Sequence, residues 1–205
     1  MRKFAGYILD FISRIIILLK IQELNYFYSR FKNRICSNIL KLKIKSNHKI
    51  FLQTPFLIFG EKNISLEGSF FSLPGLRIEC IEKYNGDFFS PRLEIGKNVS
   101  FNQNCHIGCI NYIRIGANVL IGSNVLITDH SHGATNNTDI IPSKRPLYSK
   151  GPVIIGDNTW ICENVCILPN VRIGCNCIVG AGAVVSKDIP DDCIAVGNPA
   201  RIIKR

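Results

Sequence analysis

The chain has 205 residues, of which 46% are hydrophobic, and its 25 Lys and Arg against 15 Asp and Glu give a net charge of +10 at pH 7. This length supports one domain with a small appendage and leaves little room for a second full domain. The positive charge favours polyanionic neighbours such as phosphates, anionic lipid or acidic glycans. We expect no nucleic-acid partner, because the sequence has no helix-turn-helix, zinc-finger or interleaved aromatic and basic pattern.

Residues 1–50 are predicted to form a helical segment that begins with an amphipathic helix. An apolar stretch covers residues 4–19, but Asp10 and Arg14 interrupt it and no small-residue cleavage site follows. The stretch is therefore too short and too charged for a transmembrane span or a signal peptide. We expect its apolar face to pack on the body of the protein or on a partner subunit. The basic and aromatic residues that continue to position 34 leave a second option open, peripheral contact with a membrane surface.

Residues 51–205 are predicted to form an all-β solenoid, because aliphatic residues recur at every sixth position. The recurring residues are Ile155, Ile161, Ile167, Ile173, Val179 and Val185, preceded by Ile95, Phe101 and Ile107, then by Ile115, Ile121 and Ile127, and more faintly by Ile58, Ile64, Phe70 and Leu76. No α-helix or ordinary strand has this period. Each six-residue unit, called a rung below, is interpreted as a short strand plus a turn. Three rungs make one coil of a triangular prism, and a coil is stable only when it is stacked on other coils. Periodicity alone leaves the hand of the coil open.

A long loop, residues 128–152, interrupts this ladder and is too polar and too rich in turn formers for further rungs. Such a loop on a rigid stack is a common place for functional residues. It contains His130 and His132, and an imidazole is the natural base for removing a proton from a hydroxyl near neutral pH. His48 and His106 lie outside the loop and are interpreted as surface or structural residues.

Nine cysteines could indicate a metal site or a disulfide framework, so their spacing has to decide. The close pairs lack the two-residue separation of zinc knuckles, and no histidine stands at ligand spacing from them. We therefore predict no metal and interpret the cysteines as small thiols that fill a narrow core. The expected compartment is the reducing cytoplasm, and the N-terminal helix leaves open a position at the inner face of the membrane.

Three segments carry a resemblance to a known family: IGANVLIGSNVLITDHSHG, VIIGDNTWICENVCILPNVRIG and GAGAVVSKDIPDDCIAVGNPARIIKR. They resemble the left-handed β-helix acyltransferases of the hexapeptide-repeat superfamily, and most closely the branch of maltose, galactoside and polysaccharide O-acetyltransferases. The resemblance covers about residues 55–205. It implies a left-handed parallel β-helix, acetyl-CoA as co-substrate, a homotrimer, and direct transfer of the acetyl group with a histidine as general base.

The resemblance also implies roles for residues near the loop. A count from the rung residue Val125 places His132 at the position of the catalytic histidine in these enzymes, with His130 as the alternative. Asp129 is expected to support either imidazole, although a main-chain carbonyl could do so equally well. Asn102 matches an asparagine near the reacting centre, where it or backbone donors would stabilise the oxyanion.

The expected acceptor site departs from the family pattern. Ile110 stands where the galactoside enzymes have the acidic residue that holds the acceptor sugar. We therefore expect other residues to bind the acceptor, and the two cations among them would suit an acidic glycan. These residues are Asn111, Lys144, Arg145 and Tyr148.

The C-terminal coils are expected to bind the cofactor. The residues implied by the resemblance are Trp160, Ala181, Ser186, Lys187, Arg201 and Lys204. Ala181 would lie along the pantetheine arm, whereas Arg201 and Lys204 would reach the phosphates, which call for cationic side chains. Trp160 could instead serve core or trimer packing.

The sequence thus predicts an O-acetyltransferase that moves acetyl from acetyl-CoA to a sugar hydroxyl of a bacterial surface polysaccharide or its precursor. Two alternatives stay open at this point. One is an N-acetyltransferase that acts on an amino sugar nucleotide. The other is of a different class, a non-catalytic membrane-associated scaffold, which would not need the SKD and NPAR elements of the expected cofactor groove.

Overall fold

A computed structural model describes residues 2–18, 21–133 and 139–203. In this part of the chain two helices come first, α1 (Arg2–Leu18) and α2 (Ile21–Lys43), and 23 short strands, numbered in chain order, follow from residue 50 onward. Two single-turn 3₁₀ helices cover Glu61–Asn63 and Pro142–Lys144. Lys204, one of the expected cofactor residues, lies outside the described residues.

Three stacked sheets contain nearly all the strands. The first comprises β1 (Ile50–Leu52), β4 (Phe70–Ser72), β9 (Val99–Phe101), β12 (Leu120–Ile121), β17 (Trp160–Ile161), β20 (Ile178–Val179), β22 (Ile194–Val196) and β23 (Arg201–Ile203). The second comprises β2 (Phe56–Phe59), β5 (Leu76–Cys80), β10 (His106–Cys109), β13 (Leu126–Thr128), β18 (Cys166–Ile167) and β21 (Val184–Val185). The third comprises β3 (Ile64–Leu66), β8 (Arg92–Ile95), β11 (Tyr112–Ile115), β16 (Val153–Ile155) and β19 (Val171–Ile173).

Successive strands visit the three sheets in turn, so the chain winds as a three-faced coil. Neighbouring strands within each sheet are parallel, apart from the closing pair β22 and β23, which is antiparallel. Two antiparallel hairpins stand outside the stack: β6 (Lys83–Tyr84) with β7 (Asp87–Phe88), and β14 (Ser131–His132) with β15 (Leu147–Tyr148). The prediction of a parallel solenoid is therefore confirmed.

The aliphatic column predicted from the sequence forms the core. Ile155 pairs with Ile173 in the next coil, Ile161 pairs in the same way with Val179, and all four side chains are buried. The residue four places after each column residue is buried as well, because every rung has two inward positions. This second column contains Thr159, Val165, Val171, Cys177 and Ala183.

The fainter upstream ladder names the correct strands, and Ile58 is in register with Ile107 because both pair with Ile78. The other three ladder residues, Ile64, Phe70 and Leu76, are displaced by two residues. Ile95 pairs with Leu66 rather than Ile64, and Ile107 pairs with Ile78 rather than Leu76. Because inward side chains alternate along a strand, the neighbouring inward position is also apolar, and a period-six pattern fits either one.

Asparagines in the left-handed backbone conformation mark the corners of the coil. Asn98, Asn118, Asn158 and Asn176 all have φ between 56° and 57°, and each amide donates to the next residue in the stack at 3.0–3.3 Å. Asparagine tolerates this conformation better than other non-glycine residues. The corner therefore repeats in the same form along the stack, although the spacing between its asparagines varies from 18 to 40 residues.

Helix α2 closes the N-terminal end of the stack. Leu40 is buried in the core, and the Ser37 hydroxyl accepts a hydrogen bond from the Leu52 N–H at 2.9 Å. Asn33 accepts from the Thr54 N–H at 3.0 Å. Helix α1 contacts α2, but most of the apolar side chains that the structure describes on α1 stay exposed, for example Phe11 at 65%. Among the described residues, neither helix is long and apolar enough to cross a membrane.

Candidate active site

Asp129 lies where the chain leaves the stack after β13. Its side chain is fully buried, and its carboxylate accepts hydrogen bonds from the backbone N–H of Ile110 at 3.0 Å and of Asn111 at 2.8 Å. The Asp129 N–H still donates to the Gly108 carbonyl at 3.2 Å, as the strand ladder would. Because no rung of the loop lies over Ile110 and Asn111, the carboxylate takes the place of the missing ladder acceptors. Buried backbone donors need such a partner.

His130 packs directly over the stack beside this carboxylate. Its Nδ1 lies 3.0 Å from Asp129 Oδ1 and 3.3 Å from Thr128 Oγ1, and its side chain is only 11% exposed. A Cβ atom on Gly108 would lie 3.0 Å from His130 Cε1, so glycine leaves the room that the ring occupies. A carboxylate can only accept, so the Nδ1 proton of a neutral His130 is held there and Nε2 carries the lone pair.

His132 lies two residues further on, in β14, and is exposed. Its backbone is fixed by the antiparallel pairing with Leu147 in β15. Its Nδ1 lies 3.4 Å from the Tyr84 hydroxyl, and the two rings meet edge to face with centroids 5.4 Å apart. The structure thus gives each histidine its own partner: Asp129 contacts His130, whereas Tyr84 contacts His132.

The structure brings several of the expected acceptor residues to the loop. The Asn111 amide lies 3.4 Å from Ser149 Oγ, and the exposed Tyr148 pairs with Ser131 in the short hairpin. The Arg145 guanidinium donates to the Ile140 carbonyl at 2.7 Å, and Lys144 is exposed at the end of its 3₁₀ turn. Lys144, Arg145 and Tyr148 thus belong to the loop itself, and Asn111 contacts the loop through Ser149.

Asn102 lies apart from this group. It follows β9 on the eight-stranded face, and its N–H donates to the Ile121 carbonyl at 2.8 Å. Among the residues that the structure describes, no hydrogen bond joins Asn102 to either histidine. Its expected role at the reacting centre therefore stays a prediction.

The expected cofactor residues are spread over the last coils. Trp160, on β17, is 44% exposed, and Arg201 is exposed on β23 of the same sheet. Ala181 is exposed in the turn after β20, and Ser186 and Lys187 are exposed after β21. All five side chains are thus accessible on the outside of the stack. Small, polar and cationic groups of this kind fit a thioester arm that ends in phosphates.

A group of thiols lies beneath Asp129, but its chemistry does not fit nucleophilic catalysis. Cys109 Sγ lies 3.5 Å from Asp129 Oδ2. The adjacent Cys80 thiol, burial and the Asp129 charge together raise the pKa of Cys109 far above its usual range. A reactive cysteine needs the opposite shift. All nine cysteines are free, and the described residues contain no His, Cys, Asp or Glu cluster that could hold a metal.

Sequence reasoning missed Tyr84 and its hairpin. The segment Lys83-Tyr84-Asn85-Gly86-Asp87-Phe88 contains the Asn-Gly pair that favours tight β-hairpins, so the hairpin itself was detectable. Its contact with Ser143, 59 residues away from Tyr84, was not, because no repeat relates the two segments.

The sequence is similar to models and members of a known protein family. A family model described as bacterial transferase hexapeptide (six repeats) matches residues 152–187, and one described as hexapeptide repeat of succinyl-transferase matches residues 112–131. The chain is 34% identical over 178 residues to the putative lipopolysaccharide biosynthesis O-acetyl transferase WbbJ of Escherichia coli (strain K12), a match that covers 84% of this chain and 87% of that relative. It is 37% identical over 116 residues to galactoside O-acetyltransferase of Escherichia coli (strain K12), covering 57% of this chain and 55% of that enzyme.

Solved structures agree with these relatives. A galactoside acetyltransferase in complex with coenzyme A matches 55% of this chain and 55% of its own, with 38% identity and a TM-score of 0.50. A maltose O-acetyltransferase from Clostridium difficile 630 matches 87% of both chains, with 26% identity and a TM-score of 0.55.

The stacked six-residue rungs and these matches define the class: the chain is an acyltransferase of the hexapeptide-repeat type, built as a left-handed parallel β-helix. Within this class it belongs to the acetyltransferase family that includes the galactoside, maltose and lipopolysaccharide O-acetyltransferases. It is accordingly an acetyl-CoA-dependent acyltransferase, as the sequence predicted.

Proposed function

We propose that the protein transfers acetyl from acetyl-CoA to a sugar hydroxyl of a bacterial surface polysaccharide or its precursor. The observation that carries this proposal is the pair of histidines at the exit of β13, each with Nδ1 held by an oxygen, beside a polar loop. The relationship over most of the chain to a putative lipopolysaccharide biosynthesis O-acetyl transferase supports a surface glycan as acceptor.

His132 is the proposed general base. An acceptor sugar has to reach the imidazole Nε2, and His132 is exposed whereas His130 is largely buried against Gly108. The count from Val125 that the family resemblance implies favours the same residue, with His130 as the alternative. His130 and Asp129 would then fix the start of the loop, so that Asp129 supports the base through the backbone rather than by touching its ring.

In the proposed mechanism His132 removes the proton from the acceptor hydroxyl as its oxygen attacks the thioester carbonyl carbon. Backbone N–H groups or Asn102 stabilise the oxyanion. When the carbon–sulfur bond breaks, His132 returns the proton to the departing thiolate. Ala181, Ser186, Lys187 and Arg201 would hold the cofactor, which supplies the activated acetyl group.

The test combines purified enzyme with acetyl-CoA and candidate glycans, with coenzyme A release and acetylated product both measured. His132→Ala should lower kcat by about a hundredfold or more with little change in the KM for acetyl-CoA. His130→Ala is the matched variant and should keep more activity. A fully active His132→Ala together with an inactive His130→Ala would overturn the assignment of the base. Acetyl found on an amine of a nucleotide sugar instead of a hydroxyl would overturn the proposed reaction.

The acceptor can be sought in cells as well as in vitro. Mass spectrometry of surface polysaccharide from cells with and without the gene should show a loss of O-acetyl groups in its absence. Lys144 and Arg145 are the proposed contacts to an acidic acceptor, because both cations lie on the loop beside His132. Lys144→Gln should therefore raise the KM for an acidic glycan and leave the KM for acetyl-CoA unchanged.

The assembly proposed for this enzyme is a homotrimer, since flat faces of a three-sided prism can pair around a threefold axis and leave clefts between subunits. Native mass spectrometry would measure the subunit number directly. A monomer at micromolar concentration would contradict it.

Residues 1–34 are the proposed site of peripheral contact with an anionic membrane, at whose inner face a lipid-linked precursor would be presented. Apolar side chains of α1 and α2 stay exposed on the described chain, with Leu9 at 66% and Phe27 at 70%, and the net charge of +10 suits anionic lipid. The protein should sediment with vesicles that contain phosphatidylglycerol and not with pure phosphatidylcholine vesicles. Phe11→Asp should abolish this binding with the subunit number unchanged. A variant that instead loses its oligomeric state would assign the helix to a subunit contact.

A further inference from the structure

The β6–β7 hairpin reaches across to the loop and holds it at one carbonyl. The Tyr84 hydroxyl donates to the Ser143 carbonyl oxygen at 3.0 Å, and the Asn85 amide donates to the same oxygen at 3.0 Å. The two donors are adjacent in sequence and share this acceptor. The loop that carries His132 is therefore attached to a hairpin that belongs to an earlier coil.

Tyr84 makes a second contact that Asn85 does not share. Its hydroxyl oxygen lies 3.4 Å from His132 Nδ1, and its ring meets the imidazole edge to face at 5.4 Å between centroids. A hydroxyl has a single proton, and here the Ser143 carbonyl accepts it. The contact with the imidazole consequently requires His132 Nδ1 to carry a proton and to donate it to the phenolic oxygen.

We propose that Tyr84 is a positioning residue that fixes the orientation of the His132 ring and its tautomer, with Nδ1 protonated. In that tautomer Nε2 holds the lone pair that a general base needs. This inference rests on the proposed role of His132 as the base. The chain of contacts then runs from the Ser143 carbonyl through Tyr84 to the imidazole, so the hairpin sets the protonation pattern of the base as well as the place of the loop.

The neighbouring residues supply a matched control. Tyr84→Phe keeps the aromatic ring against His132 but removes the hydroxyl from both of its partners. Asn85→Gly removes the other hydrogen bond to Ser143 without touching the imidazole, and glycine tolerates the left-handed backbone of this position, φ 49°. If the hairpin only holds the loop, the two variants should behave alike. If Tyr84 also positions His132, only Tyr84→Phe should change the chemistry at the ring.

The experiment measures steady-state kinetics and the ¹⁵N shifts of the His132 ring in the full-length enzyme. For Tyr84→Phe we expect kcat to fall roughly tenfold, as for loss of one hydrogen bond, with the KM for acetyl-CoA unchanged. We also expect its ring nitrogens to show a larger share of the Nε2-protonated tautomer. Asn85→Gly should keep the parental tautomer and a kcat within about twofold.

Equal kinetics and identical His132 tautomers in the two variants would overturn the positioning role of Tyr84. The ¹⁵N shifts and thermal unfolding curves are read on the same samples, so loss of the fold cannot be mistaken for loss of positioning. Failure of the proposed function would look different: His132→Ala would keep full activity, whatever Tyr84→Phe does.

Discussion

The contacts of Asp129 allow a prediction of both stability and local structure. Asp129→Ala would leave the buried Ile110 N–H without the carboxylate that accepts its hydrogen bond among the described residues, at a cost of about 1–3 kcal/mol. The Asn111 N–H also loses its partner, but Asn111 is exposed, so water can replace much of that bond. Loss of the ring contact to His130 adds to the effect. We expect the free energy of unfolding to fall by about 2–4 kcal/mol in total.

Asp129→Asn should be milder, at about 1–2 kcal/mol. Its amide oxygen can still accept from Ile110, and its NH₂ can donate to His130 Nδ1 if that ring changes tautomer. The matched surface control is Asp87→Ala in the exposed β6–β7 hairpin, which should lie within about 0.5 kcal/mol of the parent.

Urea unfolding followed by the fluorescence of Trp160 measures these differences, with the protein concentration held constant because assembly contributes to stability. Hydrogen exchange adds a local measurement: the amides of Ile110 and Asn111 should exchange faster in Asp129→Ala than in the parent. The reasoning is refuted if Asp129→Ala unfolds within about 0.5 kcal/mol of the parent, or if those two amides keep their protection.

Two further predictions concern the repeat. Asn158→Ala should lower the free energy of unfolding by about 1–3 kcal/mol, because alanine is strained at its φ of 56° and the side-chain amide hydrogen bonds of the corner are lost. Asn158→Gly should recover part of this loss, as measured by thermal unfolding. Equal losses in the two variants would contradict the backbone explanation. Burial raises the pKa of Cys105 to about 11, so at pH 8 an alkylating reagent should label this thiol only after unfolding. Mass spectrometry of the labelled native protein measures this, with the less buried Cys193 as the reference, and equally fast labelling of the two cysteines would contradict the prediction.

The fold could be predicted from the sequence because each coil repeats the same environment. Ile155 and Ile173 occupy equivalent places in successive coils, so one short pattern, repeated, identifies the architecture. The exact register of the first coils could not be predicted in the same way. Leu76 and Ile78 both point inward from one strand and are equally buried, so the six-residue spacing does not distinguish between them.

The residue types of the candidate site were also visible, but their partners were not. The two histidines stood out because they lie where the repeat stops. The structure pairs Asp129 with His130, and Tyr84 with His132. These pairings depend on where an irregular loop meets a separate hairpin. Such contacts join segments of low periodicity that are far apart in sequence, and local propensities do not specify them.

The geometry of the stack separates the loop from the coils that follow it. Ile115 pairs with Ile155 in neighbouring coils, although the whole loop lies between them in sequence, so the ladder resumes in register on its far side. Ile155 in turn pairs with Ile173, and the positions of Ala181 and Lys187 follow from these later coils. Changes in the loop can therefore alter the acceptor contacts without moving the proposed cofactor residues. In the proposed enzyme, acceptor specificity would thus vary through the loop while the later coils keep the same cofactor.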